Sequence, residues 1–203
     1  MISKKRETTT YWSGLAANYR SAHRSGLRAK VRRRELSAAR ELLALRPAES
    51  VLDAGCGAGV TTEVLLGAGR RVVAVDLSPA MVARAAELPG VDARVADIET
   101  MRLGESFDKI LCSGVFEFIP DPGRALDTLV RHLSPGGRLV VSAPGPFVLG
   151  SAYALYHLWS GNRVYRRSME SLRRLVVTAG LGGNRHPGSR LSVAYCGRTT
   201  GIA

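Results

Sequence analysis

The sequence is poor in cysteine and aromatic residues, and it has no long hydrophobic run. Of its 203 residues, three are cysteine and 6% are aromatic. Cys56, Cys112 and Cys196 lie far apart and form no C-x-x-C pair, which argues against both a disulfide scaffold and a zinc site. We therefore expect a protein of the reducing cytoplasm.

No stretch approaches the roughly 18 consecutive apolar residues that a membrane-spanning helix needs. The opening segment, MISKKRETTTYW, is basic but has no apolar core, so we expect no signal peptide. Apolar residues make up 45% of the chain, which is ordinary for a soluble globular protein. A chain of 203 residues suffices for one α/β domain and is short for two, so we predict a single domain.

Acidic residues are scarce at both ends of the chain, whose formal net charge is +12. Residues 1–46 carry 12 basic and 3 acidic side chains, and residues 145–203 carry 8 and 1, whereas residues 47–144 carry 9 and 13. This asymmetry indicates an anionic partner for the two flanks: a phosphorylated or carboxylated substrate, a nucleic acid or an anionic membrane surface. The alternative is that these arginines lie on solvated helix faces.

From residue 49 onward, strand-like and helix-like segments alternate. Strands are predicted at 50–54, 71–75, 93–96, 107–112, 138–142 and 191–196, with a further short one near 183–186. Helices are predicted at 11–24, 27–45, 60–66, 79–87, 123–133 and 168–179. Ser78-Pro79 reads as a helix start, and residues 134–137, SPGG, read as a helix stop followed by a turn. Repeated βα units predict a doubly wound, mostly parallel sheet preceded by two capping helices.

The segment VLDAGCGAG at residues 51–59 is the strongest local motif. A buried strand runs into Gly55, Gly57 and Gly59, and a helix follows. Glycine suits such a turn because it tolerates positive φ and lets a ligand lie against the main chain. Asp53 adds a carboxylate near the carboxyl end of the strand, where open α/β sheets bind ligands and where it can meet a cation or an amine. The motif predicts a loop for a nucleotide-type cofactor.

Two further carboxylates follow the loop at regular intervals. Asp76 ends the second predicted strand, where it can accept hydrogen bonds from both hydroxyls of a ribose. Asp97 ends the third predicted strand, where it can accept a hydrogen bond from an adenine amino group. Val60 stands where a G-x-G-x-x-G dinucleotide loop has its last glycine, which argues against a nicotinamide oxidoreductase.

The segments VLDAGCGAG, VVAVDLSPAMV, ARVADIE, FDKILCSGVFEFIPD and LSPGGRLVVSAP resemble, in order and spacing, the signature segments of class I S-adenosylmethionine-dependent methyltransferases. The similarity covers about residues 47–144, and YWSGLAANY resembles the entry segment of the small-molecule, quinone-methyltransferase-like branch. The resemblance implies a Rossmann-like α/β fold: a doubly wound, seven-stranded, mostly parallel sheet with a C-terminal antiparallel strand. It further implies a helical cap at 1–46, a cofactor-binding core at 47–144, and a substrate-side insertion with the last strands at 145–203.

The resemblance also implies the cofactor, S-adenosyl-L-methionine, its product S-adenosyl-L-homocysteine, and the residues that hold it. The expected contacts are Asp53, Gly55, Cys56, Gly57, Gly59, Asp76, Leu77, Met81, Asp97, Ile98, Cys112 and Ser113, with Tyr19 from the cap. Phe118 stands where many relatives have a histidine, which weakens any mechanism that takes a base from that position. No N-P-P-Y tetrapeptide follows the fourth strand, which argues against methylation of a nucleic-acid base amino group.

Methyl transfer from a sulfonium needs alignment and exclusion of water more than it needs a metal. Where a base is required, the candidates are His157, Tyr19 and Glu117, and the sequence does not choose among them. The acceptor is expected between the N-terminal helices and residues 145–163, a segment that alternatively forms only an amphipathic helix. Its candidate lining is aromatic with an arginine rim: Phe147, Tyr153, Tyr156, Trp159, Arg163, Arg166 and Arg167.

The sequence thus predicts methyl transfer to the O, N or C atom of a small metabolite, anionic or lipid-like, with contact to a membrane surface compatible with the basic flanks. The alternatives are an RNA or protein methyltransferase that uses the basic helices, and a non-catalytic module that only holds the cofactor. Tight nucleic-acid binding is not expected, and the sequence does not specify an oligomeric state.

Overall fold

A computed structural model describes residues 2–24, 26–69, 71–144, 164–165, 169–186 and 192–199. The helices are α1 (Ile2–Ala22), α2 (Gly26–Leu43), α3 (Val60–Leu66), α4 (Pro79–Ala85), α5 (Pro122–Arg131) and α6 (Met169–Thr178), with a 3-10 helix at Phe116–Phe118. The strands are β1 (Ser50–Ala54), β2 (Arg71–Asp76), β3 (Val91–Val95), β4 (Phe107–Ser113), β5 (Leu133–Pro144), β6 (Leu181–His186) and β7 (Ser192–Thr199).

The strands form one sheet in the order β3-β2-β1-β4-β5-β7-β6. The first five are parallel, and β7 pairs antiparallel with both β5 and β6. The predicted Rossmann-like α/β class with a parallel sheet is confirmed. The strand order reverses between β1 and β4, and ligands of open α/β sheets bind in the crevice at such a point, outside the carboxyl ends of the strands.

Helices cover both faces of the central strands, so neighbouring strand residues lie in two different cores. Leu52 and Ile110 belong to the larger cluster, which includes Leu126 and Leu129 of α5. On the other face, Val51 packs in a cluster with residues of α2 and α3. Because both faces are buried, the strands are continuous apolar runs rather than alternating ones.

The helix starts follow local chemistry. Ser78 caps α4, with its hydroxyl oxygen accepting from the backbone N–H of Met81 at 3.2 Å, and Pro79 occupies the first turn. The hydroxyl of Ser78 also forms a hydrogen bond with the hydroxyl of Ser13 on α1 at 2.8 Å. The first helix is thereby held against the start of α4, beside the glycine loop.

The segment SPGG at residues 134–137 differs from the prediction. The preceding helix does end, at Arg131, but β5 already begins at Leu133, so the predicted turn lies inside a strand. Leu133 pairs with Phe107, and the next pair joins Arg138 to Lys109, which leaves four residues of β5 in an irregularity. Glycines permit this irregularity: Gly136 has φ +72°, and a Cβ on Gly137 would lie 2.7 Å from the carbonyl oxygen of Ser134.

None of the helices within these ranges is long and apolar enough to cross a membrane.

Candidate cofactor site

The glycine loop at residues 55–59 is hydrogen-bonded to β2, and its main chain is accessible to a ligand at one residue. The backbone N–H groups of Gly55 and Cys56 both donate to the carbonyl oxygen of Val75, at 2.8 and 3.0 Å. Gly55, Gly57 and Gly59 all have positive φ, at +80°, +52° and +85°. A Cβ at Gly55 or Gly59 would meet packed atoms within 3 Å, whereas one at Gly57 would meet only the Tyr19 ring, at 3.7 Å. The main chain is therefore accessible to a ligand at Gly57.

Asp76 turns its carboxylate into this loop. Oδ2 accepts from the backbone N–H of Gly57 and Oδ1 from that of Ser78, each at 2.9 Å. Burial raises the pKa of Asp76, and these backbone donors partly offset that rise. Each carboxylate oxygen has a second acceptor direction, so the group can also receive the two hydroxyls of a ribose.

Asp53 is buried at the carboxyl end of β1. Its Oδ2 accepts from the hydroxyl of Thr62 at 2.7 Å, and its exposed fraction is 1%. Burial raises the pKa of Asp53 to about 6, while the Thr62 hydrogen bond and the charge of Arg32 lower it. A cationic amino group beside Asp53 would replace lost hydration and favour the ionised carboxylate.

Arg32 of α2 reaches the same place, and sequence reasoning missed it. Its guanidinium donates to the hydroxyl oxygens of Ser113 at 3.1 Å and Thr61 at 2.6 Å, and lies 3.4 Å from Glu35. Arg32 is the cation whose charge most lowers the pKa of Asp53. A guanidinium held by hydroxyls beside a carboxylate can bind the carboxylate of an amino-acid ligand while Asp53 receives its amino group.

The spacing of buried residues along α2 is the sequence signal that could have predicted the position of Arg32. The sequence places it in the basic run of residues 30–34, but it shares a face with Leu36, Ala39 and Leu43, all buried, at intervals of three and four. Arg33 and Arg34 lie on the exposed face. An arginine in line with the core-facing residues of an amphipathic helix indicates a buried anionic or polar partner.

Asp97 lies at the carboxyl edge of the sheet, but its Oδ2 already has a cation. Lys5 of α1 places Nζ 2.5 Å from Asp97 and 2.5 Å from Glu99, and Oδ1 of Asp97 accepts from the backbone N–H of Glu99 at 2.9 Å. Ile98 is buried in the larger core cluster. Leu77 is half-buried directly after β2.

The other predicted cofactor contacts are buried around these carboxylates. Cys112 is wholly buried in the larger core, and burial raises the pKa of its thiol well above the usual value. Cys56 is also buried, with its thiol 3.4 Å from the carbonyl oxygen of Gly57. Ser113 accepts from the hydroxyl of Ser142 as well as from Arg32. Met81 packs with Ala16 of α1.

Two of the three candidate bases lie within the described chain. Tyr19 borders Gly57, and burial raises the pKa of its phenol. Glu117 is 3% exposed in the 3-10 helix after β4. His157 and all seven predicted acceptor-lining residues, the first Phe147 and the last Arg167, lie outside the described residues. Within the described part of the chain, no cluster of three His, Cys, Asp or Glu side chains is arranged to hold a metal.

These residues fit the three parts of a nucleoside amino-acid cofactor. Gly57 provides an open backbone approach, Asp76 has acceptor capacity for a diol, and Asp53 and Arg32 offer opposite charges to an amino-acid end. The sheet and loop define a Rossmann-like cofactor-binding domain.

Comparison with known proteins narrows this class. Residues 52–141 match the model of the methyltransferase domain family. The ubiquinone biosynthesis O-methyltransferase of Xylella fastidiosa (strain 9a5c) is 34% identical over 156 residues, which cover 70% of this chain and 61% of that protein. The enzyme of the same name from Xanthomonas oryzae pv. oryzae (strain PXO99A) is 35% identical over 131 residues, covering 57% and 54%. The chain thus spans somewhat over half the length of these curated relatives.

Solved structures share the fold. The DhpI–SAH complex superposes with a TM-score of 0.75 at 19% identity, covering 98% of both chains. The magnesium protoporphyrin IX methyltransferase of Synechocystis PCC 6803 with bound SAH gives 0.72 at 18% identity, covering 91% of this chain and 94% of that one. These likenesses show the fold. The domain match and the curated O-methyltransferase relatives bear out the predicted S-adenosylmethionine-dependent methyltransferase domain over residues 52–141. S-adenosylmethionine is the cofactor of that class.

Proposed function

We propose that the protein transfers a methyl group from S-adenosylmethionine to an O, N or C atom of a small metabolite. The carrying observation is that Asp53, Gly57, Asp76 and Arg32 converge at the point where the strand order reverses. The similarity to two O-methyltransferases of small molecules supports this acceptor class over RNA or protein.

Each part of the cofactor is bound by a different group of the described residues. Asp53 and Arg32 hold the amino and carboxylate groups of the methionine portion, next to Ser113. Asp76 receives the ribose hydroxyls over Gly57. The adenine contacts are Leu77, Met81, Asp97 and Ile98, and an adenine amino group at Asp97 shares or displaces the contact of that carboxylate with Lys5. When bound, the cofactor supplies an activated methyl group, so the protein mainly aligns the acceptor and excludes water.

The N-terminal helices act as the cap of this site. Arg20 of α1 donates through Nε and Nη2 to the carbonyl oxygen of Ala58, at 3.1 and 2.9 Å, and also to that of Arg84. Trp12 and Tyr19 pack around Ala58 and Met81. Because α1 lies over the loop that holds the cofactor, it shields the reacting groups from water. The antiparallel strands β6 and β7 extend the sheet beyond β5 on the other side.

Isothermal titration calorimetry tests the cofactor. S-adenosylmethionine should bind at one site per chain, and NADH should give no heat of binding because Val60 replaces the last glycine of a dinucleotide loop. Incubation with a methyl-labelled donor and a metabolite pool should then label small molecules. Absence of S-adenosylmethionine binding, or label found only in RNA or protein, would contradict the proposed function.

Replacing Arg32 with glutamine should weaken S-adenosylmethionine binding by about 10-fold or more. Hydrogen bonds to a charged group contribute about 1.5–3 kcal/mol, and the variant removes the cation proposed to meet the cofactor carboxylate. Calorimetry measures the change. Arg33→Gln is the matched control, because Arg33 carries the same charge on the exposed face of the same helix. Equal affinities of the two variants would exclude this role for Arg32.

A further inference from the structure

The carboxylate of Asp97, just after β3, is paired with a lysine of the capping helix α1. Nζ of Lys5 lies 2.5 Å from Oδ2 of Asp97 and 2.5 Å from a carboxylate oxygen of Glu99. Oδ1 of Asp97 accepts from the backbone N–H of Glu99 at 2.9 Å. Two carboxylates and a backbone donor therefore fix the positions of the Lys5 ammonium and the Asp97 carboxylate relative to each other.

The Lys5 ammonium is charged and has a donor to spare. Partial burial lowers the pKa of Lys5, but the hydrogen bonds with Asp97 and Glu99 raise it more, so the net shift is upward. An ammonium has three N–H donors, and among the described residues these two carboxylates accept two of them. The Lys5 side chain is 30% exposed. A ligand that reaches its accessible side therefore finds a third, charged donor.

A donor beside an acceptor matches one edge of an adenine ring. The adenine amino group donates, and the neighbouring ring nitrogen N7 accepts. Asn and Gln side chains bind adenine at these two atoms, with the amide oxygen taking the amino hydrogen and the amide nitrogen donating to N7. Nζ of Lys5 and Oδ2 of Asp97 form an equivalent pair, a donor and an acceptor 2.5 Å apart. Oδ2 has a second acceptor direction for the amino group.

The two members of this pair come from different layers of the protein. Asp97 follows a strand of the sheet, whereas Lys5 lies near the start of α1. Further along α1, Ser13 is hydrogen-bonded to the start of α4, and Arg20 is hydrogen-bonded to the glycine loop. Because α1 is held at these two places, it presents the Lys5 donor from the cap toward the same carboxylate that the sheet provides.

From this arrangement we propose that Lys5 is a specificity-determining residue for the cofactor: its ammonium donates to adenine N7 while Asp97 accepts from the adenine amino group. Glu99 holds the ammonium in place. Lys5 and Asp97 stay paired when the cofactor binds, so no ion pair has to be broken, and the capping helix forms part of the adenine site. The inference rests on the proposed function, because the adenine is that of S-adenosylmethionine.

The first test changes the ligand and leaves the protein intact. S-adenosylhomocysteine and its 7-deaza analogue, in which a C–H replaces N7, have the same charge and nearly the same shape. The wild type should bind the analogue about 5- to 10-fold more weakly, because a hydrogen bond from a charged donor is lost. The partial exposure of the pair keeps the effect below that of a fully buried charged hydrogen bond. Isothermal titration calorimetry measures both affinities.

The second test removes the ammonium. Lys5→Met should bind S-adenosylhomocysteine about 5- to 10-fold more weakly than wild type, and it should bind the two ligands within about twofold of each other, because the donor that distinguishes them is absent. Lys5→Arg keeps a cationic donor and should recover part of the discrimination. Arg6→Met is the matched control, since Arg6 carries the same charge on the next residue but is exposed, and this variant should discriminate like wild type.

The outcomes separate the two proposals. If the wild type binds neither S-adenosylmethionine nor S-adenosylhomocysteine, the proposed function fails. If the wild type binds S-adenosylhomocysteine and the 7-deaza analogue equally well, the inference about Lys5 fails alone, whether or not the variants fold. Weakening of both ligands by the same factor in Lys5→Met would mean that Lys5 only holds α1 on the sheet. Tighter binding by Lys5→Met would mean that Lys5 competes with adenine for Asp97, and either result would overturn the inference.

Discussion

Replacing Asp76 with alanine should lower the affinity for S-adenosylmethionine by about 100-fold or more. The carboxylate is proposed to accept both ribose hydroxyls, and each hydrogen bond to a charged acceptor contributes about 1.5–3 kcal/mol. The loss is compounded because Asp76 also positions the backbone N–H of Gly57, the open position of the loop. Calorimetry of wild type and variant under the same buffer conditions measures it.

Asp92 provides the control for Asp76. It lies on β3 of the same sheet, but its carboxylate pairs with Arg71 and Arg94 near the surface rather than with the loop. Asp92→Asn removes one negative charge and should leave cofactor affinity within about threefold of wild type. Asp76→Asn, which keeps one acceptor oxygen, should fall between wild type and alanine. Equal binding by wild type and Asp76→Ala, both folded by circular dichroism, would remove Asp76 from the site.

The framework of the site could be predicted because its signals are local. Each carboxylate at a strand end is marked by the apolar run before it, so Asp53, Asp76 and Asp97 could be placed at one edge of the sheet from spacing alone. The glycine loop is equally local, since positive φ at Gly55, Gly57 and Gly59 restricts the residue type directly. Short-range sequence is sufficient where one residue determines one backbone conformation.

Groups that come from distant elements could not be predicted in the same way. Arg32 is one of several basic residues in its run, and only the packing of α2 brings it to Thr61 and Ser113. Lys5 meets Asp97 across 92 positions of sequence, so no local pattern could pair them. These contacts depend on where the capping helices settle on the sheet, which is a property of tertiary packing rather than of motif spacing.

Burial of a side chain is a second property that the sequence could not predict, and Glu117 is the example. The sequence correctly indicates that an acid follows β4, and a surface acid at a helix start would satisfy the same pattern. Only the structure shows that both carboxylate oxygens are buried, which raises the pKa of Glu117 to about 8, while its own backbone N–H partly offsets that rise. Burying an ionisable group costs stability, and no local pattern in the sequence signals that burial.

Replacing Gly55 with alanine should destabilise the fold by about 3 kcal/mol. The left-handed backbone at φ +80° costs a residue with a Cβ about 1–2 kcal/mol, and overpacking typically adds 1–3 kcal/mol. The overlap is specific, because a Cβ there would lie 2.1 Å from Cγ2 of Val115. Valine is stiff at χ1 and cannot turn away freely. Urea unfolding at fixed pH measures the difference in the free energy of unfolding.

Two further variants distinguish the cost of backbone strain from the cost of steric overlap and from the loss of ligand contact. Adding Val115→Ala to Gly55→Ala should restore the overlap part of the loss and leave only the backbone strain. Gly57→Ala has the strain but no contact closer than 3.7 Å, so it should cost about 1 kcal/mol of stability yet bind S-adenosylmethionine much more weakly, because its Cβ occupies the ligand's approach. Similar affinities of wild type and Gly57→Ala would mean that no ligand lies against this part of the main chain. Gly55 and Gly59 pack against protein atoms, so Gly57 is the glycine of this loop whose main chain a cofactor can approach. If Gly57 contacts no ligand, the loop serves only to join β1 to α3.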